Sequence, residues 1–217
     1  EFQAVTYFVD RDDGNVWVEK KLYSGKNNNY NAELTLQSCN YQWVNGLTVH
    51  MQVVKRVKER NIDFKDMFTP CYQWLNELKK LSYFKNKKSF LPGRHIDAIW
   101  CNCITKDGEC YFIDTEWSWA NDINLNLVVI RSIFKFLVSV SCMTDINGEL
   151  KSKSIRFLII KIAQSIGVII TKQDLKEFCD VESKMAEIIY GHNSRYFKFR
   201  LHMLLRSKIL DRLYEEM

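Results

Sequence analysis

Proline and glycine, the residues that most often interrupt regular structure, are scarce: the 217 residues include 2 prolines and 8 glycines. Few long irregular loops are therefore expected, and a helix-rich architecture is favoured. An uninterrupted membrane-length apolar run is also lacking, because the two most apolar stretches, 125–143 and 157–170, contain charged residues at depths that a bilayer penalises. Both stretches are predicted to be core helices.

Neither sign of charge dominates the composition. The net charge of +5 at pH 7 is compatible with a nucleotide, a phosphorylated substrate or a membrane surface as partner. Hydrophobic residues at 47% and charged residues at 26% are ordinary for a globular protein, which argues against the disordered and fibrous classes. Nucleic-acid binding is not expected, because no recognised motif accompanies the basic charge.

The cysteines do not form the even, closely spaced set of a disulfide framework. Their number is 7 and they are scattered, which predicts reduced thiols in a cytosolic compartment. Cys101, Cys103 and Cys110 lie close together in the sequence. A structural zinc site usually needs four ligands, however, and no suitable fourth is nearby. Small apolar thiols packed in a hairpin are the favoured interpretation.

Strand-like patterns open the chain. Residues 4–9 and 16–23 are rich in β-branched and aromatic side chains, and a cluster of turn residues separates them, so a β-hairpin is predicted. A polar loop through Asn27, Asn28 and Asn29 is expected to lead to a short helix near 31–38, and residues 41–44 are predicted to form another strand.

Helical patterns dominate from residue 47 onward. The spacing of apolar residues is helical over 47–84, and Pro70 is predicted to start a second helix. The turn Lys106–Glu109 between alternating runs predicts a second hairpin. From Asn124 the rest is predicted to be helical, with breaks near 147–148, 167–171 and 191. This order predicts an α+β fold with segregated lobes.

The most informative residues flank the second hairpin. His95, Asp97 and Asn102 have the pattern H-x-D-x-x-x-x-N, and Asp114 ends a predicted strand beyond the turn. Phosphoryl transfer requires a carboxylate that orients the attacking hydroxyl and oxygen ligands for a metal ion. Two segments in this order and spacing fit that chemistry. The alternative is that Asp97 and Asp114 are a loop acid and a hairpin-end acid without a joint role.

These two segments resemble the catalytic loop and metal-binding segment of the protein-kinase-like fold, in its aminoglycoside-phosphotransferase and choline-kinase-like branch. The resemblance implies a small β-rich N-lobe over 1–46 and a mostly helical C-lobe over 47–217. It implies ATP and Mg²⁺ as cofactors, with Asp97 as the catalytic base and Asn102 and Asp114 as magnesium ligands. His95 is expected to brace the loop rather than to transfer a proton.

The same resemblance assigns a phosphate-binding lysine to the second strand. Lys20 is expected to contact the α- and β-phosphates of ATP, because strand alternation places it on the face of Val18 and turns Lys21 the other way. A solvated edge lysine is the alternative for Lys20. Glu33, on the predicted short helix, is expected to belong to the ATP site as the acid that pairs with Lys20.

Residues 41–46 resemble the hinge that binds adenine, with Trp43 or Val44 lining the nucleotide pocket. No glycine-rich phosphate loop precedes the strand of Lys20. Either the fold lacks that loop or the chain is a fragment of a longer polypeptide; the fragment is favoured, with Glu1 and Phe2 as a cloning remnant.

Residues 91–97, with Asn102 and the segment 113–117, resemble more narrowly the kinase domain of bifunctional methyltransferase–kinase proteins that terminate bacterial polysaccharide chains. This resemblance implies a sugar or lipid-linked glycan as acceptor, and a cytoplasmic location peripheral to the inner face of the cell membrane. The basic amphipathic stretch 195–212 could lie on anionic lipid, although a solvated face with a core stripe is commoner. Three tryptophans could stack on a sugar, although ordinary packing is favoured: Trp100, Trp117 and Trp119.

Two function classes remain open. The first is an active ATP-dependent kinase that acts on a sugar or another small hydroxyl compound. The second is a catalytically silent kinase-like module that binds a partner or a glycan within a larger assembly protein. Activity is favoured by the presence of all four key residues, whereas the missing glycine loop favours silence. The four are Lys20, Asp97, Asn102 and Asp114.

Overall fold

A computed structural model describes residues 4–11, 15–22, 33–59, 61–143 and 145–208. Within these ranges the chain is a mixed α+β fold with small antiparallel sheets and seven α-helices, which confirms the α+β part of the prediction. The strands are β1 (Ala4–Asp10), β2 (Val16–Leu22), β3 (Leu34–Leu36), β4 (Cys39–Gln42), β5 (Tyr83–Lys85), β6 (Lys88–Leu91), β7 (Cys103–Lys106), β8 (Glu109–Phe112), β9 (Trp117–Trp119) and β10 (Ile123–Asn124). The helices are α1 (Val49–Val57), α2 (Cys71–Leu81), α3 (Leu125–Val140), α4 (Gly148–Ser152), α5 (Ile155–Ser165), α6 (Lys172–Tyr190) and α7 (Ser194–Arg206).

The predicted N-terminal hairpin is confirmed as β1 paired with β2, and β4 extends it to a three-stranded sheet in the order β1-β2-β4. The predicted alternation along β2 is also confirmed. Val18 is buried, the Lys20 side chain is largely covered, and the Lys21 side chain is 65% exposed. The strand predicted over 41–44 lies slightly earlier, at β4. The Asn-rich loop before β3 is outside the described residues.

The predicted short helix near 31–38 is wrong for the residues described there, because Leu34–Leu36 form β3. This strand pairs with β9, so that Leu34 lies opposite Trp119 and Leu36 opposite Trp117. Both leucines are buried. A three-residue strand depends on its distant partner rather than on local propensity, so its sequence gives little warning of it. The predicted domain boundary after residue 46 stays a prediction.

The predicted start of a second helix at Pro70 is confirmed, because Pro70 is the N-cap residue of α2. The helical prediction to residue 84 extends too far, since β5 pairs with β6 through Asn86 and Lys87. These two residues have φ values of 50° and 62°, as in a type I′ turn. The turn was missed because it lacks the glycine that usually signals it.

The predicted helical second half is confirmed for its described residues, up to Lys208, and begins with α3. Eleven residues of α3 are buried, and among the described residues no helix is long and apolar enough to cross a membrane. Trp100 is fully buried among aromatic rings, including those of Trp74 at 5.8 Å and Phe136 at 5.9 Å between centroids, so it packs in the core. The predicted basic stretch 195–212 is described as far as Lys208, and Arg212 lies outside the described residues.

The second predicted hairpin is confirmed as β7 paired with β8. Its turn residues Asp107 and Gly108 have φ values of 50° and 83°, as the Asp-Gly pair predicts. The loop before it depends on another glycine. A Cβ atom on Gly93 would lie 1.8 Å from the carbonyl oxygen of Trp119 and 2.6 Å from that of Asn121. Only glycine therefore lets this loop pack directly against the backbone of β9.

We expect Gly93→Ala to lower the free energy of unfolding by about 2 to 4 kcal/mol, because the added methyl group must displace backbone rather than a flexible side chain. Gly148→Ala is the matched control, since a Cβ atom there meets no atom within 4 Å. The control should change stability by less than about 1 kcal/mol. Urea unfolding of both variants measures the difference, and equal destabilisation by the two would contradict the packing argument.

Candidate functional site

The β7–β8 hairpin closes the sequence gap between Asn102 and Asp114. The backbone N–H of Ile113 donates to the carbonyl oxygen of Asn102 at 2.9 Å, so the chain returns to the residue from which the hairpin started. The side-chain amide of Asn102 donates to the backbone carbonyl oxygen of Asp97 at 3.1 Å. Three residues that the motifs singled out therefore occupy one corner of the fold.

Asp97 is held by a buried arginine from α3. The Nη1 atom of Arg131 donates to Oδ1 of Asp97 at 3.0 Å and also to the carbonyl oxygen of Ile96. Its Nε atom pairs with Glu182 of α6. The Asp97 side chain is 11% exposed, and its Oδ2 atom has no hydrogen-bond partner among the described residues. One oxygen is thus fixed by Arg131, and the other remains available as an acceptor.

The pKa of Arg131 reflects two opposed effects. Burial disfavours its charged form, but the carboxylates of Glu182 and Asp97 outweigh burial and raise the pKa of Arg131 above its ordinary value. The guanidinium therefore stays charged at any pH at which the protein is folded.

Lys20 meets two carboxylates from the segment that follows the hairpin. Its Nζ atom forms an ion pair with Asp114 and lies 3.1 Å from each carboxylate oxygen of Glu116. The side chains of Lys20 and Glu116 are 15% and 13% exposed. Asp114 has a φ of 60°, a left-handed conformation that aspartate tolerates better than most residues. This turn directs the Asp114 carboxylate back to β2.

The charged residues around Lys20 and Arg131, with Asn102, form what we call the Asp97 cluster, and they carry an excess of negative charge. One ammonium group faces two carboxylates at Lys20, and one guanidinium faces two carboxylates at Arg131. Carboxylate and amide oxygens are the ligands that Mg²⁺ prefers, and magnesium usually takes only one or two protein carboxylates beside phosphate oxygens and water. The Asp114 carboxylate and the Asn102 amide oxygen therefore suit a magnesium-bound nucleotide.

No protein-family model, curated protein or solved structure matches this chain. The interpretation of the site therefore depends on its own residues and contacts. Asn102 contacts Asp97 and Ile113, and Asp114, which follows Ile113 in the chain, pairs with Lys20. They join residues from β2, from the loop after β6 and from the end of β8.

Two other predicted residues lie beside this cluster rather than in it. The imidazole of His95 accepts a hydrogen bond from Nε of Arg94 at 3.3 Å, and its backbone N–H donates to the carbonyl oxygen of Pro92 at 2.9 Å. Burial, with a smaller effect of Arg94, lowers the pKa of His95. Glu33 lies 3.8 Å from Lys184 of α6. The expected pairing of Glu33 with Lys20 is therefore wrong, because Asp114 and Glu116 occupy the lysine.

The predicted hinge residues Trp43 and Val44 follow β4, and Trp43 still bonds to the first residue of β2. The backbone N–H of Trp43 donates to the carbonyl oxygen of Val16 at 2.7 Å, and its exposed ring meets Phe8 edge-on at 5.6 Å between centroids. Val44 is half-buried. Both follow β4 directly, so they lie where the N-terminal sheet leads into α1. Their contact with adenine stays a prediction.

The cysteine cluster packs in the hairpin. Cys103 lies opposite Phe112, and Cys110 lies opposite Thr105, so the two thiols share one face of the β7–β8 ladder. A hydrogen bond to Cys110, together with burial, raises the pKa of the Cys103 thiol. Among the described residues no group of three or more His, Cys, Asp or Glu side chains is placed to hold a metal ion.

Sequence reasoning missed Arg131, Glu116 and Glu182. Arg131 carried a signal, because a charged residue in the most apolar stretch of the chain must find partners when that stretch is buried. Glu116 is the second acid of the segment 113–117, where only Asp114 was given a role. Glu182 is one of many polar residues along α6, and its contact with Arg131 spans 51 residues of sequence. No local pattern predicts such a pair.

We expect a double-mutant cycle of Lys20→Met and Glu116→Gln to give a coupling energy of about 1 to 3 kcal/mol in urea unfolding, because both groups are largely removed from solvent. The pair of Lys21 with Glu19 on the same strand, at 3.1 Å, is the matched control and should couple more weakly, because the Lys21 side chain is 65% exposed. Equal coupling in the two cycles would show that Lys20 and Glu116 do not interact as described.

Proposed function

We propose that this chain is a phosphotransferase of the two-lobed protein-kinase-like fold, which transfers the γ-phosphate of magnesium-bound ATP to a hydroxyl group. One observation supports this proposal above the others. Residues from two separate sequence motifs and from a strand near the N-terminus form a single chain of contacts. Of the two acids, Asp114 also contacts Lys20 on β2, which brings the proposed metal ligand to the proposed phosphate lysine.

Asp97 is suited to orient the acceptor hydroxyl. Arg131 fixes Oδ1, which leaves Oδ2 in a defined position to accept a hydrogen bond from the hydroxyl and then its proton. As the proton moves to Oδ2, the hydroxyl oxygen bonds to the γ-phosphorus and ADP departs with the electrons of the broken bond. Because Arg131 binds Oδ1 and not the proposed proton-accepting Oδ2, it orients the carboxylate and is a positioning residue.

Asn102 and Asp114 are suited to hold the metal, and Lys20 to hold the phosphates. Magnesium, when bound, neutralises phosphate charge during transfer. Glu116 pairs with Lys20 and holds it at the site, which is the role that Glu33 was expected to have. A second carboxylate on the lysine matters because Asp114 can then turn toward a metal without leaving Lys20 unpaired.

A sugar or glycan is the proposed acceptor class. This proposal depends on the resemblance of the segments 91–97 and 113–117 to the kinase domains of polysaccharide chain terminators. Trp117 and Trp119 are half-buried on β9, which immediately follows the metal-binding segment. Both rings pack against the hydrophobic core, so their partial exposure is compatible with a sugar contact but does not require one.

A catalytically silent module that binds a glycan or partner is the second candidate. The ion pairs of Lys20 with Asp114 and Glu116 favour it, because they satisfy the lysine without a nucleotide. An active enzyme must open the Lys20–Asp114 pair when ATP binds. The two candidates therefore differ in whether magnesium and ATP compete successfully with this pair.

We expect Asp114→Asn to weaken magnesium-dependent ATP binding by about tenfold or more, because the metal loses its carboxylate ligand. Asp107→Asn is the matched control, since Asp107 lies at the turn of the same hairpin region and also has a positive φ, of 50°. Calorimetry with and without magnesium measures both variants. Equal ATP affinity in wild type and Asp114→Asn, whether or not magnesium is present, would refute the metal assignment.

We expect Asp97→Asn to leave ATP–magnesium binding nearly intact while phosphoryl transfer falls by about 10² to 10⁴-fold, because the amide cannot take the proton. Transfer of radiolabelled phosphate from ATP to candidate saccharides measures the loss. A silent module would instead show no transfer in wild type or variant, although both fold. Full transfer activity in Asp97→Asn would refute the role of Asp97 as base.

A further inference from the structure

A cavity of about 320 Å³ lies between α5, α6 and α7, away from the Asp97 cluster. Its floor is apolar, because Leu175 and Leu205 are buried there. Basic side chains from all three helices line the rest of it: Arg156 from α5, Lys172 and Lys176 from α6, and His202 and Arg206 from α7. A cationic cavity with an apolar floor attracts anions more strongly than an exposed surface does.

No described acidic residue pairs with the lysines and arginines of this cavity. Among the described residues no carboxylate lines the cavity, and its lysines and arginines form no ion pair. Other lysines of the same helices do have acidic partners; Lys184 lies 3.2 Å from Glu187, and Lys198 pairs with Asp180. Four unpaired like charges in one cavity repel one another, and a bound polyanion would relieve that repulsion.

The same side of α7 exposes apolar side chains. Phe199, His202, Met203 and Arg206 follow the i, i+3, i+4, i+7 spacing, which places them on one face of the helix. Phe199 is 61% exposed and Met203 is 50% exposed. Tyr196, one turn earlier, is exposed as well. Basic cavity residues and unburied apolar residues therefore alternate along a single helix face.

We propose that this surface binds anionic phospholipid membranes, with a phosphate headgroup in the cavity and Phe199 and Met203 in the apolar part of the interface. A cationic pocket beside an exposed apolar stripe matches the chemistry of a lipid, which carries its phosphate next to hydrocarbon. The cavity has the volume of about ten water molecules, enough for a headgroup phosphate and part of its ester. The proposal does not depend on the phosphotransferase proposal.

Co-sedimentation with vesicles tests the proposal. The protein should bind vesicles that contain phosphatidic acid and not vesicles of phosphatidylcholine alone. The charge variant Lys172→Gln/Lys176→Gln should lower the affinity about tenfold or more, because each basic residue near an anionic surface contributes severalfold. The apolar variant Phe199→Ser/Met203→Ser should lower it too, since the stripe can no longer enter the interface.

Matched controls distinguish binding at this cavity from non-specific electrostatic and hydrophobic binding to vesicles. Lys65→Gln/Lys85→Gln removes the same charge from exposed positions outside the cavity, and Phe84→Ser/Ile169→Ser removes exposed apolar side chains elsewhere. Both controls should keep wild-type affinity. Arg206→Gln, which changes the opposite wall of the cavity, is a further variant that should weaken binding, and circular dichroism verifies that each variant folds.

Calorimetry with pyrophosphate, without magnesium, distinguishes a lipid from a soluble phosphate. Weak pyrophosphate binding that competes with phosphatidic acid vesicles supports the proposal. Pyrophosphate binding without any vesicle binding would overturn the lipid assignment in favour of a soluble phosphorylated ligand. Absence of vesicle binding, or equal loss in the cavity variants and the controls, would also overturn it. ATP–magnesium binding by Lys172→Gln/Lys176→Gln should stay unchanged, so a failure here leaves the phosphotransferase proposal to its own tests.

Discussion

The buried guanidinium of Arg131 is the constraint on which the candidate site depends. The side chain is 2% exposed, and a buried charge is tolerated only when acceptors surround it. Asp97, Glu182 and the carbonyl oxygen of Ile96 supply those acceptors, from the loop after β6 and from α6. Helix α3 therefore fixes both the loop that carries the proposed base and the helix behind it. Removing either carboxylate would leave the buried Arg131 charge with one acidic partner in place of two.

Strand β9 is the second constraint, because it connects that loop to the N-terminal part of the chain. One side of it receives the loop at Gly93, where a side chain has no space, and its backbone pairs with β3. The segment between β8 and β9 carries Asp114 and Glu116, which reach Lys20 on β2. A shift of β9 would therefore displace both the loop that carries the proposed base and the acidic residues that hold Lys20.

Much of the fold follows from local patterns in the sequence. The first hairpin, the Asp-Gly turn of the second, the helix start at Pro70 and three breaks between later helices, near 147–148, 167–171 and 191, were predictable, because each depends on residues close in sequence. The missed elements include β3 and its partner β9, which depend on pairing between remote segments, and the β5–β6 hairpin, which depends on an unusual turn without glycine. For such short strands the pairing decides the structure, and propensity does not.

For the candidate site, the sequence by itself determined which residue types were available and that Asp97, Asn102 and Asp114 stand at the ends of a loop and a hairpin. It also determined that Lys20 shares the face of Val18, because strand alternation is fixed by the backbone. Only the tertiary structure decided that Lys20 pairs with Glu116, at a separation of 96 residues, and not with Glu33. The physical reason is that an ion pair depends on distance in space, and here the packing of β9 sets that distance.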